Sequence, residues 1–172
     1  MKIALVQMDV AHGQPVENKK HVKEMLERAL DDNPDVIVLP EMWNTGYALD
    51  ELDGLADKEG LDSQELLSHF ARKHAVAIIG GSVAIEKDGK FYNTTYVYNK
   101  SGDLINSYSK VHLFGLMAED QYMSAGSSES VFELDGVTAA SVICYDIRFP
   151  EWVRTQMAQG VDRKSTRLNS SH

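Results

Sequence analysis

The sequence predicts an α/β fold, in broader terms α+β, built on a mixed sheet with helices over one of its faces. Three observations predict it. Short apolar runs of strand length alternate with segments of helical periodicity through the first part of the chain. Asp-Gly turns then separate alternating segments, which is the mark of antiparallel hairpins. A last apolar run finally feeds a helix. The 172 residues suit one domain, able to bury on the order of 70% of its unfolded surface.

Residues 2–10 read as a buried strand. From Val16 the apolar positions Val22, Met25, Leu26, Ala29 and Leu30 follow helical spacing, and Pro34 closes that helix. The run DVIVL at 35–39 has strand length and stops at Pro40-Glu41, which puts a carboxylate just past a strand end. Asp62 with Glu65 forms a capping-box pattern, and Leu66, Leu67, Phe70 and Ala71 give the second helix its apolar face. Residues 76–85 return as strand.

KDGK at 87–90 is a hairpin turn, after which 91–98 alternates aromatic and polar residues. NKSGD at 99–103 is a second turn and feeds the strand 104–110. LDGV at 134–137 is a third, and its second arm, 137–143, delivers Cys144. Pro150 and Gly160 bracket the final helix.

The net charge of −9 disfavours nucleic acid and anionic lipid as partners. No run of eighteen apolar residues exists, and MKIALVQMDVAHG turns polar too early for a signal peptide or membrane span. A lone cysteine excludes an internal disulfide and fits a reducing compartment, so a cytoplasmic protein is expected. No histidine has a partner at metal-ligand spacing, and no phosphate-binding glycine pattern surrounds Gly80-Gly81. No metal and no cofactor are expected.

Three residues could carry chemistry. Cys144, in SVICYDIRFPEW, stands at a strand-to-helix junction, where a sharp turn can expose a nucleophile and free the next backbone N–H for a substrate oxygen. The helix N-terminus beyond it would favour the thiolate. A small apolar filler is the alternative, and the residue alone does not decide. Glu41, set between Pro40 and the pair Met42-Trp43, is either a solvated charge or a desolvated proton acceptor. Lys110, in YSKVHLF, is either edge decoration or functional.

Taken together, PEMWNTGY, YSKVHLF and ICYDIRFPEW resemble the three signature segments of the nitrilase, or carbon-nitrogen hydrolase, superfamily, in that family's order, over residues 1–162. The resemblance implies an α-β-β-α sandwich of two sheets, a homodimer when complete, and hydrolysis of a carbon-nitrogen bond. It implies attack on an amide by Cys144, a thioester intermediate and release of ammonia. Glu41 would serve as general base and acid, with Lys110 and the backbone N–H of Tyr145 stabilising the oxyanion. Glu119, rather than the adjacent Asp120, would position the lysine and substrate. Arg148 is read as structural and His112 as a satisfied imidazole. KVHLFGLMAED, YMSAG and CYDIRFPEW are similar to the ω-amidase-like bacterial branch, which implies ω-amides of 2-oxo acids such as 2-oxoglutaramate.

Against the family pattern the chain stops shortly after the helix that follows Cys144, so the sandwich is expected to be incomplete and the chain poorly soluble or inactive. The rival reading is a non-catalytic binding or subunit-interaction domain that keeps the fold. The segment RKSTRLNSSH, 163–172, has one apolar side chain and three positive charges in an acidic protein. It is read as a non-native or disordered tail after a hydrolase part spanning 1–162.

Overall fold

The computed structural model describes residues 1–160 and the short strand Arg163–Lys164. The elements run β1 (Ile3–Leu5), α1 (Pro15–Ala29), β2 (Val36–Val38), α2 (Leu52–Leu55), β3 (Asp57–Lys58), α3 (Leu61–His74), β4 (Ala77–Ile79), β5 (Val83–Lys87), β6 (Lys90–Tyr98), β7 (Leu104–Ser109), α4 (Glu119–Tyr122), β8 (Val131–Leu134), β9 (Val137–Ala140), α5 (Pro150–Met157) and β10 (Arg163–Lys164). The expected mixed sheet is present, and a second sheet accompanies it.

In the first sheet β1, β2 and β4 run parallel. The long strand β6 is its axis, pairing antiparallel with β4 and β5 along one edge and with β7 along the other. The stretch expected as one strand over 76–85 is therefore two, interrupted at Gly80-Gly81-Ser82. Both Asp-Gly hairpins form as read: Asp88 and Gly89, and Asp135 and Gly136, all have positive φ, the geometry that two-residue turns require. The second sheet is β10-β9-β8, with β10 parallel to β9. Residues 163–164 of the segment read as a tail thus pair as strand, and 165–172 lie outside the described residues.

Two apolar layers sandwich the first sheet. On one face α1 and α3 place Val22, Leu26, Leu67, Phe70 and Ala71 on Ile37, Leu39, Ile78, Val83 and Tyr96. On the other face Val36, Val38, Ala77, Ile79 and Val97 meet Phe132 and Leu134 of β8. This second layer spaces the two sheets.

Two local expectations are corrected. The first strand spans three residues rather than the nine of 2–10, because only Ile3–Leu5 has a partner, β2. The capping box at Asp62 does not form: α3 begins at Leu61, and Asp57 caps it instead, accepting from the backbone N–H of Asp62 at 3.2 Å and of Ser63 at 2.8 Å. A carboxylate five residues upstream reaches the free N–H groups because Gly60, at φ +66°, turns the chain back over it. Among the described residues no helix is long and apolar enough to cross a membrane.

Candidate active site

Glu41 owes its position to the break between β4 and β5. Past the end of β2 the chain turns, and Ser82 receives it: Ser82 N–H donates to the Pro40 carbonyl at 3.1 Å, Ser82 Oγ accepts from Met42 N–H at 3.1 Å, and Ser82 O accepts from Trp43 N–H at 3.1 Å. Trp43 Nε1 donates to the Gly80 carbonyl at 2.8 Å, and the Asn44 amide makes a two-way pair with Ala84, each bond 2.9 Å. The fit demands glycine at 81, where a Cβ would stand 2.0 Å from the Pro40 carbonyl oxygen. Met42, at φ +52°, holds a left-handed conformation that costs about 1–2 kcal/mol and is sustained by these contacts.

Lys110 follows β7, its N–H donating to the Asn93 carbonyl at 2.8 Å. Its side chain is 1% exposed and lies between two carboxylates. Lys110 Nζ donates to Glu41 Oε1 at 3.0 Å and to Glu119 Oε1 and Oε2 at 3.1 and 2.8 Å. Glu119 opens α4 fully buried and also accepts from Phe114 N–H at 2.8 Å, while Asp120 is exposed. Burial works against the ammonium, but the charges of Glu41 and Glu119 more than offset it and hold the Lys110 pKa above its ordinary value.

Cys144 lies beyond β9, partly buried, at φ +43°. Its turn is held by Asp146, whose fully buried carboxylate takes four donors. Ile143 N–H and the Tyr108 hydroxyl reach Oδ2 at 3.0 and 2.7 Å, and His112 supplies its N–H and its Nδ1 to Oδ1, both at 2.8 Å. The Tyr108 hydroxyl in turn accepts from Trp152 Nε1 at 3.1 Å, and the His112 ring stacks on Phe149 with centroids 3.7 Å apart. Tyr108 and His112 flank Lys110 in sequence, so one carboxylate ties the cysteine's turn to the lysine's strand. The Tyr145 ring packs against Phe114 and Phe149, and Arg148 is exposed.

The electrostatics revise one expectation. Burial first, and then the charge of Glu41, push the Cys144 thiol up to about 11, against a weaker opposing pull from Lys110. The helix N-terminus was expected to favour the thiolate, but a neighbouring carboxylate in a desolvated site outweighs it. Burial and the same carboxylate also hold the Tyr47 hydroxyl well above the usual phenol range. Cys144 is therefore held as a neutral thiol near a carboxylate.

Glu41 is asymmetric. Its Oε1 accepts from Lys110 and from Asn93 Nδ2, each at 3.0 Å, whereas its buried Oε2 has no hydrogen-bond partner among the described residues. The structure thus brings Glu41, Lys110 and Glu119 into direct contact and sets Cys144 within reach of the Glu41 charge. Asn93, Asp146 and Tyr47 join them, and none of the three stands out in the sequence. For Asp146 a signal was available, since it lies two residues past the only cysteine. Among the described residues no group of three or more His, Cys, Asp or Glu side chains could hold a metal ion.

The Cys144 thiol, just past the end of a strand of the second sheet, thus stands near a buried carboxylate–ammonium–carboxylate cluster carried by the first. The carbon-nitrogen hydrolase family matches residues 2–165, and the chain belongs to that family. It is 48% identical over 160 residues to a 2-oxoglutaramate amidase of Bacillus subtilis (strain 168), which covers 93% of this chain and 61% of that protein. It is 30% identical over 175 residues to an omega-amidase of Saccharomyces cerevisiae, covering 93% of this chain and 60% of that one. The fold matches the crystal structure of a branch 10 member of the nitrilase superfamily from Saccharomyces cerevisiae with a TM-score of 0.86 at 28% identity, over 95% of this chain and 62% of that one. It also matches a Glu→Gln mutant of the amidase from Nesterenkonia sp. AN1, with a TM-score of 0.84 at 25% identity, over 95% of this chain and 65% of that one. The chain spans about 60% of the length of these curated relatives.

Proposed function

We propose that this protein hydrolyses the amide bond of a small ω-amide of a 2-oxo acid, such as 2-oxoglutaramate, through a Cys144 thioester with release of ammonia. The observation that carries the reading is a Glu41 carboxylate whose charge bears on a neutral Cys144 thiol, with one oxygen held by Lys110 and the other, Oε2, buried without a hydrogen-bond partner among the described residues. As Cys144 Sγ bonds to the amide carbon, Glu41 Oε2 takes the thiol proton and the carbonyl π pair moves to oxygen. Glu41 returns the proton to nitrogen, the carbon–nitrogen bond breaks, and ammonia leaves behind a thioester. Water then attacks that carbon while Glu41 accepts its proton. Collapse expels the sulfur, which recovers the proton as the carboxylic acid product departs.

Lys110 directs its N–H groups at three carboxylate oxygens, so it acts on the oxyanion through its charge. A direct hydrogen bond then falls to the backbone N–H of Tyr145. Glu119, bonded to Lys110 through both oxygens, keeps the ammonium in place. The two amidase relatives support the substrate class, and a nucleophilic role for Cys144 is supported by the Nesterenkonia amidase mutant, in which acrylamide adds to the active-site cysteine by Michael addition. The net charge of −9 supports a protein without a nucleic-acid partner, the lone cysteine supports a cytoplasmic location, and the family resemblance supports a homodimer when the protein is complete.

The test is ammonia release from 2-oxoglutaramate by a parent protein extended to the full length of its relatives, because the 172 residues alone are expected to be inactive. The expected result is turnover by the parent and none by Cys144→Ala, with unchanged circular dichroism. A Cys144→Ala protein that keeps the parent's rate, or a parent that turns over no small ω-amide, would refute the reading and leave the non-catalytic domain in its place.

A further inference from the structure

We propose that Asn93 is a positioning residue of this site, the group that holds both glutamates by one oxygen each and so leaves Glu41 Oε2 free as the base. The inference rests on the amidase reading. Asn93 is fully buried in the middle of β6, opposite Ala84. Its Nδ2 donates to Glu41 Oε1 at 3.0 Å and to Glu119 Oε1 at 3.1 Å, which uses both amide hydrogens. Its backbone carbonyl accepts from Lys110 N–H at 2.8 Å. One residue thus contacts all three charged residues of the cluster.

A role in strand packing alone does not account for this. Asparagine is disfavoured in strand interiors, and here its Oδ1 is buried without a partner among the described residues, a cost that an apolar or threonine side chain would avoid. The amide orientation follows from the charges, since the flipped amide would aim Oδ1 at two carboxylate oxygens. A neutral double donor is also the one group that can bind two carboxylates here without adding charge. A cation would compete with Lys110 for both glutamates, and an anion would repel them. With Oε1 of Glu41 shared between Asn93 and Lys110, rotation of that carboxylate is blocked, and Oε2 is kept clear of both donors.

The test compares ammonia release by the parent, Asn93→Ala and Asn93→Asp across pH. Asn93→Ala is expected to lower kcat by roughly 10- to 100-fold with KM within about threefold, the signature of a misaligned base rather than lost substrate contacts. Asn93→Asp, nearly isosteric, is expected to move the acid limb of kcat/KM upward by about one pH unit, because a third carboxylate opposes ionisation of the other two. Should Asn93→Ala fail to fold, the acid limb of Asn93→Asp decides alone. An active parent whose acid limb is unmoved in Asn93→Asp overturns the inference and leaves the amidase reading standing. A parent that releases no ammonia overturns both.

Discussion

Replacing Glu41 with Gln should make Cys144 more reactive toward an alkylating agent while it disables turnover. The thiol titrates at about 11 because it is buried and because the Glu41 charge opposes the thiolate. At pH 7 that leaves a thiolate fraction of about 10⁻⁴. Removing the charge keeps the burial and leaves the Lys110 ammonium in place. For a carboxylate within the ~4–6 Å over which a charge shifts its neighbour's titration, at an effective dielectric of about 20, the repulsion lost is about 3–4 kcal/mol. Partial exposure of the thiol screens this to a fall of about one to two pKa units. Thiolate then rises about 10- to 100-fold, but a less basic sulfur is a weaker nucleophile, with a Brønsted slope of about 0.4–0.5. The net gain in iodoacetamide labelling at pH 7 is roughly 3- to 15-fold. Because the chain has one cysteine, intact mass reads the modification directly. Ammonia release should meanwhile fall by about 10² or more, the usual contribution of a positioned acid–base group. Labelling that slows or stays level in the Glu41→Gln protein would show that this carboxylate does not oppose the thiolate and would refute the electrostatic reasoning.

Gly81→Ala should cost about 3 kcal/mol or more in chemical denaturation and abolish ammonia release, since its Cβ would collide with the Pro40 carbonyl that leads into Glu41. Gly89→Ala, at a similar positive φ but in open space, should cost only about 1–2 kcal/mol; equal losses at the two sites would rule out the collision. The folded thiol, at about 11, holds its proton longer than the unfolded one at about 8.5, so Cys144 stabilises the fold fully below pH 8.5 and less as pH rises toward 11. Between pH 8.5 and 10 the parent should lose about 1 kcal/mol, after screening at the partly exposed thiol, that Cys144→Ser does not lose, and a matching pH dependence of stability in the two proteins would contradict this.

What the sequence made legible depended on whether a residue's meaning was local. Asp88-Gly89 and Asp135-Gly136 require positive φ within two residues, and both hairpins formed as read. Glu41, Lys110 and Cys144 stand out by type against apolar surroundings, and the structure brings their segments together. Asn93 was hidden because FYNTTYVY reads as a strand with one polar face in water, whereas β6 is flanked on both edges and its residues 93–98 are all buried. Polar side chains there face a charged cluster, and an alternating pattern cannot separate that from solvent. The cap of α3 was misassigned for a related reason: Asp57 reaches the helix only after Gly60 reverses the chain. The raised thiol pKa was also out of reach, because it depends on a carboxylate more than a hundred positions away in the chain.

Glu41, Asn93 and Lys110 all belong to the first sheet or its strand ends, whereas Cys144 follows β9 of the second. The separation of the Glu41 carboxylate from the Cys144 thiol therefore depends on the thickness of the apolar layer between the sheets, chiefly Phe132 and Leu134 against Val36, Val38, Ile79 and Val97. These side chains act as a gauge block for the chemistry. A methylene added or removed among them would, in the proposed reaction, alter the reach of the proton transfer as well as the stability of the fold, so that reading constrains the volume of this layer by rate and by folding together.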